Sequence, residues 1–284
     1  MRLIVTFIFI FVWVSACAPA KKHRKKYIKP NYSKTYNKKS PQTSSRGKKK
    51  KPHTLKSLSP FISKNSLAPT ILNEKDQTLM ILIDQGKYFV GAKKIAARNA
   101  IQYPHKQNSQ FVMLSAFYID RTETTVANFK KFQPRYNEKP YTDGKPCPQC
   151  PAMGIDWNQA YKYCKWAGKR LPNEVEWEAA ARGNSTYTWP WGNDYLPQNA
   201  NTFGEQDGHL FAAPVASFPM GASPFGVMDM SGNVWEWVKT ESKSLHVVKG
   251  GGWTSYKNQS KISVRNSVDA KLKNPTFGFR CARS

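Results

Sequence analysis

No acidic residue precedes Glu74 in this chain of 284 residues, and that asymmetry decides where a fold can form. Of the 44 Lys and Arg residues, 17 lie in 1–73, which leaves 27 against 18 Asp and Glu in 74–284. Residues 18–75 carry no acidic residue but Glu74, are rich in Lys, Ser, Asn, Thr and Pro, and show no apolar periodicity. Such a stretch cannot bury enough surface to offset its chain entropy. It is expected to be a tether, and folding is confined to the remainder, about 210 residues, enough for one domain with a substantial core. Eight of the nine tryptophans, all but Trp13, lie in that remainder.

Residues 1–16 read as a signal peptide rather than as part of the fold. Arg2 gives the positive start, and the apolar run Leu3 to Val14 is too short to span a bilayer. The run ends in Val14-Ser15-Ala16-Cys17, which resembles the lipobox of bacterial lipoproteins. Cleavage before Cys17 would leave that cysteine to be lipidated and the chain anchored to a membrane. Ordinary secretory cleavage after Ala18 or Ala20 is the alternative. Ala18, rather than Asp, after the cysteine implies the outer membrane if the host is Gram-negative. The basic runs Lys21–Lys26 and Lys48–Lys51 are either a solvated spacer or a contact for anionic lipid or cell-wall polymer. Export argues against nucleic acid.

Export also makes the remaining cysteines, Cys147, Cys150, Cys164 and Cys281, candidates for disulfides. Cys147-Pro148-Gln149-Cys150 has three readings: a redox couple, half a zinc site, or a short loop bridge. Zinc lacks a second pair of ligands nearby. Pro146, Pro148 and Pro151 hold the segment extended rather than at a helix start, which favours the loop bridge and leaves redox cycling as the alternative.

Along the domain, Leu79 to Gly91 holds two apolar runs around a Gly-containing turn and predicts a strand pair. Phe111 to Asp120 predicts another strand, and Glu123 to Phe129 leads into a helix. Asp156 with Gln159 predicts a capped helix that stops at Gly168. Asn173 with Glu176 predicts a second, ending at Gly183. Trp157, Tyr161 and Cys164 share one face of the first, and Trp177, Ala180 and Ala181 one face of the second, as core stripes. Beyond Gly183 the pattern is punctuated by Gly, Pro and Trp, with short strands and long loops.

Three late motifs stand out: Gly232-Asn233-Val234-Trp235-Glu236-Trp237, Lys249-Gly250-Gly251-Gly252-Trp253 and Gly278-Phe279-Arg280-Cys281. Together with Trp189-Pro190-Trp191-Gly192 and Ala213-Pro214-Val215, they resemble the formylglycine-generating enzyme (sulfatase-modifying factor) family over nearly all of 76–284. The resemblance implies an α+β, C-type-lectin-like fold with little regular structure, small antiparallel sheets and two main helices. It also implies a disulfide between Cys164 and Cys281.

That family oxidises a substrate cysteine with copper held by two thiolates just after the Gly-Gly segment. Here the first of those positions is Ser255, and no cysteine lies between Cys164 and Cys281. Copper(I) is a soft ion, and a hydroxyl is a hard ligand that stays protonated near neutral pH. Copper chemistry is therefore not expected, and no residue is assigned a catalytic role. A hydrolytic Ser255 would need a positioned His base, for which His246 is close in sequence alone. The resemblance implies structural calcium held by hard oxygen ligands. One set matches Asp229, Gly232, Val234 and Glu236; a second matches Asn201, Thr202, Asp207 and His209. Arg280 is expected to pair inside the fold. Gly252, Trp253, Ser255 and Arg265 are candidates to line a groove.

The expected function is a tethered, non-catalytic binding or assembly module for a protein, peptide or cell-envelope polymer. The alternative is an oxidoreductase of the same superfamily, of the pyoverdine-maturation or non-haem iron type, working by another mechanism. His105, His209 and His246 do not show the close spacing that an iron site of that type needs.

Overall fold

A computed structural model describes residues 68–92, 109–204, 207–242 and 244–284. The signal segment, Cys17, both basic runs and His105 lie outside the described residues. Five strands come first: β1 (Thr70–Leu72), β2 (Leu79–Ile83), β3 (Gly86–Val90), β4 (Gln110–Leu114) and β5 (Phe117–Asp120). Three helices follow, α1 (Val126–Phe132), α2 (Trp157–Trp166) and α3 (Glu174–Arg182). The chain closes with β6 (Trp235–Ser242), β7 (Leu245–Lys249), β8 (Arg265–Val268), β9 (Phe277–Phe279) and β10 (Ala282–Arg283). The strands form sheets of order β1-β2-β5-β10, β3-β4 and β8-β7-β6-β9.

The helices begin and end where their caps require. Asp156 accepts from the Gln159 N–H while the Gln159 side chain reaches back to the Asp156 N–H. Asn173 and Glu176 repeat that reciprocal pair on α3. Gly168 and Gly183, at φ +72° and +63°, take the left-handed turn that releases each chain. Helix α1, seven residues capped by Thr125, adds a third, shorter helix to the two main ones.

The strand expectations need three corrections. The runs of Leu79–Gly91 do not pair with each other: β2 pairs with β1 and β5, whereas β3 pairs with β4. Each run has its own buried face, and Glu178 and Arg182 of α3 hold the end of β3 through Gly91. The stretch Phe111–Asp120 is two strands, broken at Ser115–Ala116, because its halves serve different sheets. The third sheet is mixed rather than antiparallel, since β6 and β9 run parallel. Trp235 to Val238 are accordingly buried without alternation, as parallel pairing requires.

The expected tether boundary at 75 falls after strand β1. Strand β1 lies on β2, and Asn73 and Asp76 are buried. Asp76 ties this segment inward through Lys169 Nζ at 2.7 Å and the Tyr163 hydroxyl at 2.9 Å.

Two apolar clusters fill the interior, one around Phe129, Tyr163, Trp237 and Phe279, the other around Trp177, Ile83, Ile119 and Met230. A Cys164–Cys281 disulfide fastens α2 to the chain end in the first cluster. The α2 stripe is narrower than expected: Cys164 is buried, but Trp157 and Tyr161 are half-buried and stack on each other at 5.1 Å. The full α3 stripe of Trp177, Ala180 and Ala181 is buried.

Candidate functional site

The glycine-rich turn after β7 sets the position of Ser255. Gly251 sits at φ +78°, where a Cβ would lie 3.0 Å from Ser260 Cα, so the backbone packs against the loop it leads into. Ser255 closes that loop. Its N–H donates to Gly252 O at 2.8 Å, and its hydroxyl oxygen accepts from the Gly252 N–H at 3.0 Å. Ser255 is only 3 % exposed. Ser260 is fully buried and its hydroxyl donates to Lys257 O at 3.1 Å. His246 packs on Trp157, ring centroids 4.2 Å apart, and does not serve Ser255 as a base. The Ser255 and Ser260 hydroxyls thus bond to the loop's own backbone.

Beside the loop lies an open-sided cavity of about 360 Å³, lined by Phe203, Gly204, His209, Leu210, Trp253, Thr254 and Tyr256. Phe203, Leu210 and Tyr256 are 59 %, 69 % and 61 % exposed, far more than large apolar side chains with no external partner require. The Phe203 and Tyr256 rings meet at 4.8 Å, and Phe211 packs edge-on against Trp253 at 5.4 Å. Among the described residues, no Asp, Glu, Lys or Arg lines the cavity. Of the expected groove residues, Trp253 lines it. Ser255 is buried between the lining residues Thr254 and Tyr256, Gly252 packs on Thr276 and Trp235, and Arg265 pairs with Glu174 at 3.2 Å. Sequence reasoning missed Phe203, Leu210 and Tyr256, because exposed apolar residues on loops leave no periodic signal.

The first expected calcium set surrounds a buried charge cluster. Glu236 accepts from Arg280 through Nε and Nη2, each at 2.7 Å, and from the Trp177 indole at 2.8 Å. Arg280 also donates to the carbonyls of Asp120, Arg121 and Met228. Asp229 accepts from the Ala216 N–H at 2.6 Å. Glu123 joins them unforeseen: Oε1 takes the Asn233 amide at 2.9 Å, and Oε2 is buried without a hydrogen-bond partner. Burial, and then the Asp229 charge, push Glu123 well above the usual carboxylate range; burial raises Asp229 as well. Burial opposes the Arg280 charge, but Glu236, Glu123 and Asp229 more than offset it. Three carboxylates face one guanidinium, so acidic groups outnumber cations in the cluster.

The second set is also assembled. Asp207 accepts from the Thr202 and His209 N–H groups, both at 2.9 Å, and Asn201 Oδ1 is buried with no hydrogen-bond partner. Gly232 connects the two sets: at φ +80° a Cβ would lie 2.2 Å from Asn201 O, so only glycine fits. Among the described residues, no three His, Cys, Asp or Glu side chains form a ready metal shell. A cation at either set would have to draw on backbone carbonyls as well, hard oxygen ligands of the kind calcium takes.

The second disulfide joins Cys147 to Cys150, as the loop-bridge reading expected. The bridged loop accepts from the Val126 and Ala127 N–H groups at the start of α1 and from the Val215 N–H, all at 2.9 Å.

With this fold and site, the chain belongs to the sulfatase-modifying factor enzyme 1-like domain family, matched over residues 68–284. It is 34 % identical over 150 residues to the inactive C-alpha-formylglycine-generating enzyme 2 of Bos taurus, covering 46 % of this chain and 50 % of that protein. It is 34 % identical over 171 residues to the formylglycine-generating enzyme of Streptomyces coelicolor, covering 48 % of this chain and 53 % of that protein. The chain thus spans about half the length of the curated relatives it matches. The solved structure of PvdO from Pseudomonas aeruginosa overlays with a TM-score of 0.65 at 24 % identity, over 77 % of this chain and 100 % of that one, which shows the fold.

Proposed function

We propose that this chain is an exported, lipid-anchored protein whose formylglycine-generating-enzyme-like domain binds a ligand and does not oxidise one. The Ser255 hydroxyl carries this reading. Where copper would need a thiolate, the chain has a buried oxygen already taken by the Gly252 N–H. Immediately beside it, the aromatic-walled cavity remains open to solvent. A relative named as inactive supports the loss of chemistry within the family.

In this account Cys17 holds the chain to the membrane and the Lys-rich tether spaces the domain from it, touching anionic lipid or cell-wall polymer. Calcium is structural. It would sit on Asp229, Glu236 and the Gly232 and Val234 carbonyls, and on Asn201, Asp207 and the Thr202 and His209 carbonyls. There it would supply the positive charge that the buried carboxylates lack.

Immobilised protein exposed to solubilised envelope material tests the binding role. A partner retained by the native domain and lost with Phe203→Ala/Tyr256→Ala is the expected result; equal retention by both overturns the assignment of the cavity. Metal analysis of the purified protein separates the alternatives, since calcium accords with this reading and stoichiometric copper or iron with the oxidoreductase.

A further inference from the structure

The two disulfides differ in access, the property that governs thiol exchange. Cys164 and Cys281 are both completely buried. Cys150 is 4 % exposed, but Cys147 is half-buried between exposed Pro146 and Pro148. The second bridge thus has one partly exposed cysteine, open to an external thiolate, whereas both cysteines of the first are sealed.

The bridged loop also holds a neighbouring segment in place. Gln149 O accepts from the Val215 N–H at 2.9 Å, and Cys150 Sγ lies 3.7 Å from Ala212 O. On its other side the same segment reaches the charge cluster, the Ala213 N–H donating to Asn233 Oδ1 at 2.9 Å and the Ala216 N–H to Asp229. Residues 212–216 are thus clamped between the Cys147–Cys150 loop and the Asp229–Asn233 turn. They continue directly from Leu210 and Phe211 at the cavity.

We propose that Cys147–Cys150 is a thiol-exchange site that takes a dithiol reductant, and that opening it releases residues 212–216 without unfolding the domain. A thiolate of the reductant attacks Cys147 Sγ. The Cys147–Cys150 bond breaks, a mixed disulfide forms, and Cys150 leaves as a thiolate that takes a proton. The second thiolate of the reductant then attacks its own sulfur in the mixed disulfide and expels Cys147. Two electrons and two protons pass from the dithiol to the bridge, giving two protein thiols and one disulfide of the reductant. This inference stands apart from the binding role and from metal occupancy.

The experiment titrates the full-length protein with dithiothreitol, follows each thiol by differential alkylation and mass spectrometry, and reads amide exchange. Cys147 and Cys150 are expected to become alkylated at a dithiol concentration at least on the order of tenfold below that needed for Cys164 and Cys281. Exchange at Ala213, Val215 and Ala216 should accelerate by on the order of tenfold or more, with the amides of β6 and β7 unchanged. The Cys147→Ser/Cys150→Ser variant should show the same local acceleration without reductant. Simultaneous opening of both bridges would overturn the proposal. So would unchanged exchange at 213–216 in the reduced protein, which is readable even if the variant does not fold.

Discussion

Arg280 and Glu236 meet side-on, Nε 2.7 Å from Oε2 and Nη2 2.7 Å from Oε1, with almost no solvent on either side chain. The pair joins the last turn of the chain to the start of β6. The remaining Arg280 donors reach the end of β5 and the loop before β6. The Gly-Phe-Arg-Cys and Asn-Val-Trp-Glu motifs are therefore two halves of one structural device, which explains why a chain without the thiolates still needs them.

Removing Arg280 should be severe. Arg280→Met leaves Glu236, Glu123 and Asp229 buried with no cation among them, and breaking such a pair costs about 3–5 kcal/mol. Urea unfolding of the metal-free protein checks this; a loss below about 1 kcal/mol, the range of surface ion pairs, would contradict the burial argument.

Metal and pH should trade against each other. Glu123 and Asp229 are raised in the folded state by burial. The native protein therefore binds more protons than the unfolded chain, and its stability falls as pH rises from the unfolded carboxylate range near about 4 through the raised folded values. Without divalent cations, acidifying from about pH 7.5 to about 5 should raise Tm, within that window. Calcium at about 100 times its Kd should add about 2.7 kcal/mol near neutrality and abolish the acid gain. Scanning fluorimetry with chelator or calcium reads both; a Tm indifferent to calcium would remove the proposed sites.

The Cys164–Cys281 bridge spans a sequence separation of 117, so its loss should be costly. The loop-entropy relation gives about 4–5 kcal/mol for Cys164→Ala/Cys281→Ala. Equilibrium unfolding should show it as a lower midpoint, and a change under about 1 kcal/mol would mean that the unfolded chain is already restrained there.

Much of this was legible in sequence for local reasons. Capping boxes fixed the starts of α2 and α3, glycines fixed their ends, and family motifs pointed to the core disulfide. The strand pairing was not, because β2 and β3 satisfy hairpin rules locally while tertiary contacts with β5 and α3 decide their partners. The charge cluster was half visible. Asp229 and Glu236 sit in a recognisable motif, but Glu123 reaches them from more than 100 residues away and has no spacing to betray it. The Ser255 bond to Gly252 is a three-residue turn, readable as a substitution but not as a commitment of its oxygen. The cavity walls come from two distant loops, Phe203 and Leu210 from the connection between α3 and β6 and Tyr256 from that between β7 and β8, and chain folding alone brings them together.

The most direct measurement incubates the purified protein aerobically with copper and a cysteinyl peptide and follows the peptide by mass spectrometry. With a hydroxyl at Ser255 engaged by the Gly252 N–H, the peptide should keep its thiol or pass only to a disulfide, and the protein should hold no stoichiometric copper. Conversion of the cysteine to an aldehyde would contradict the account.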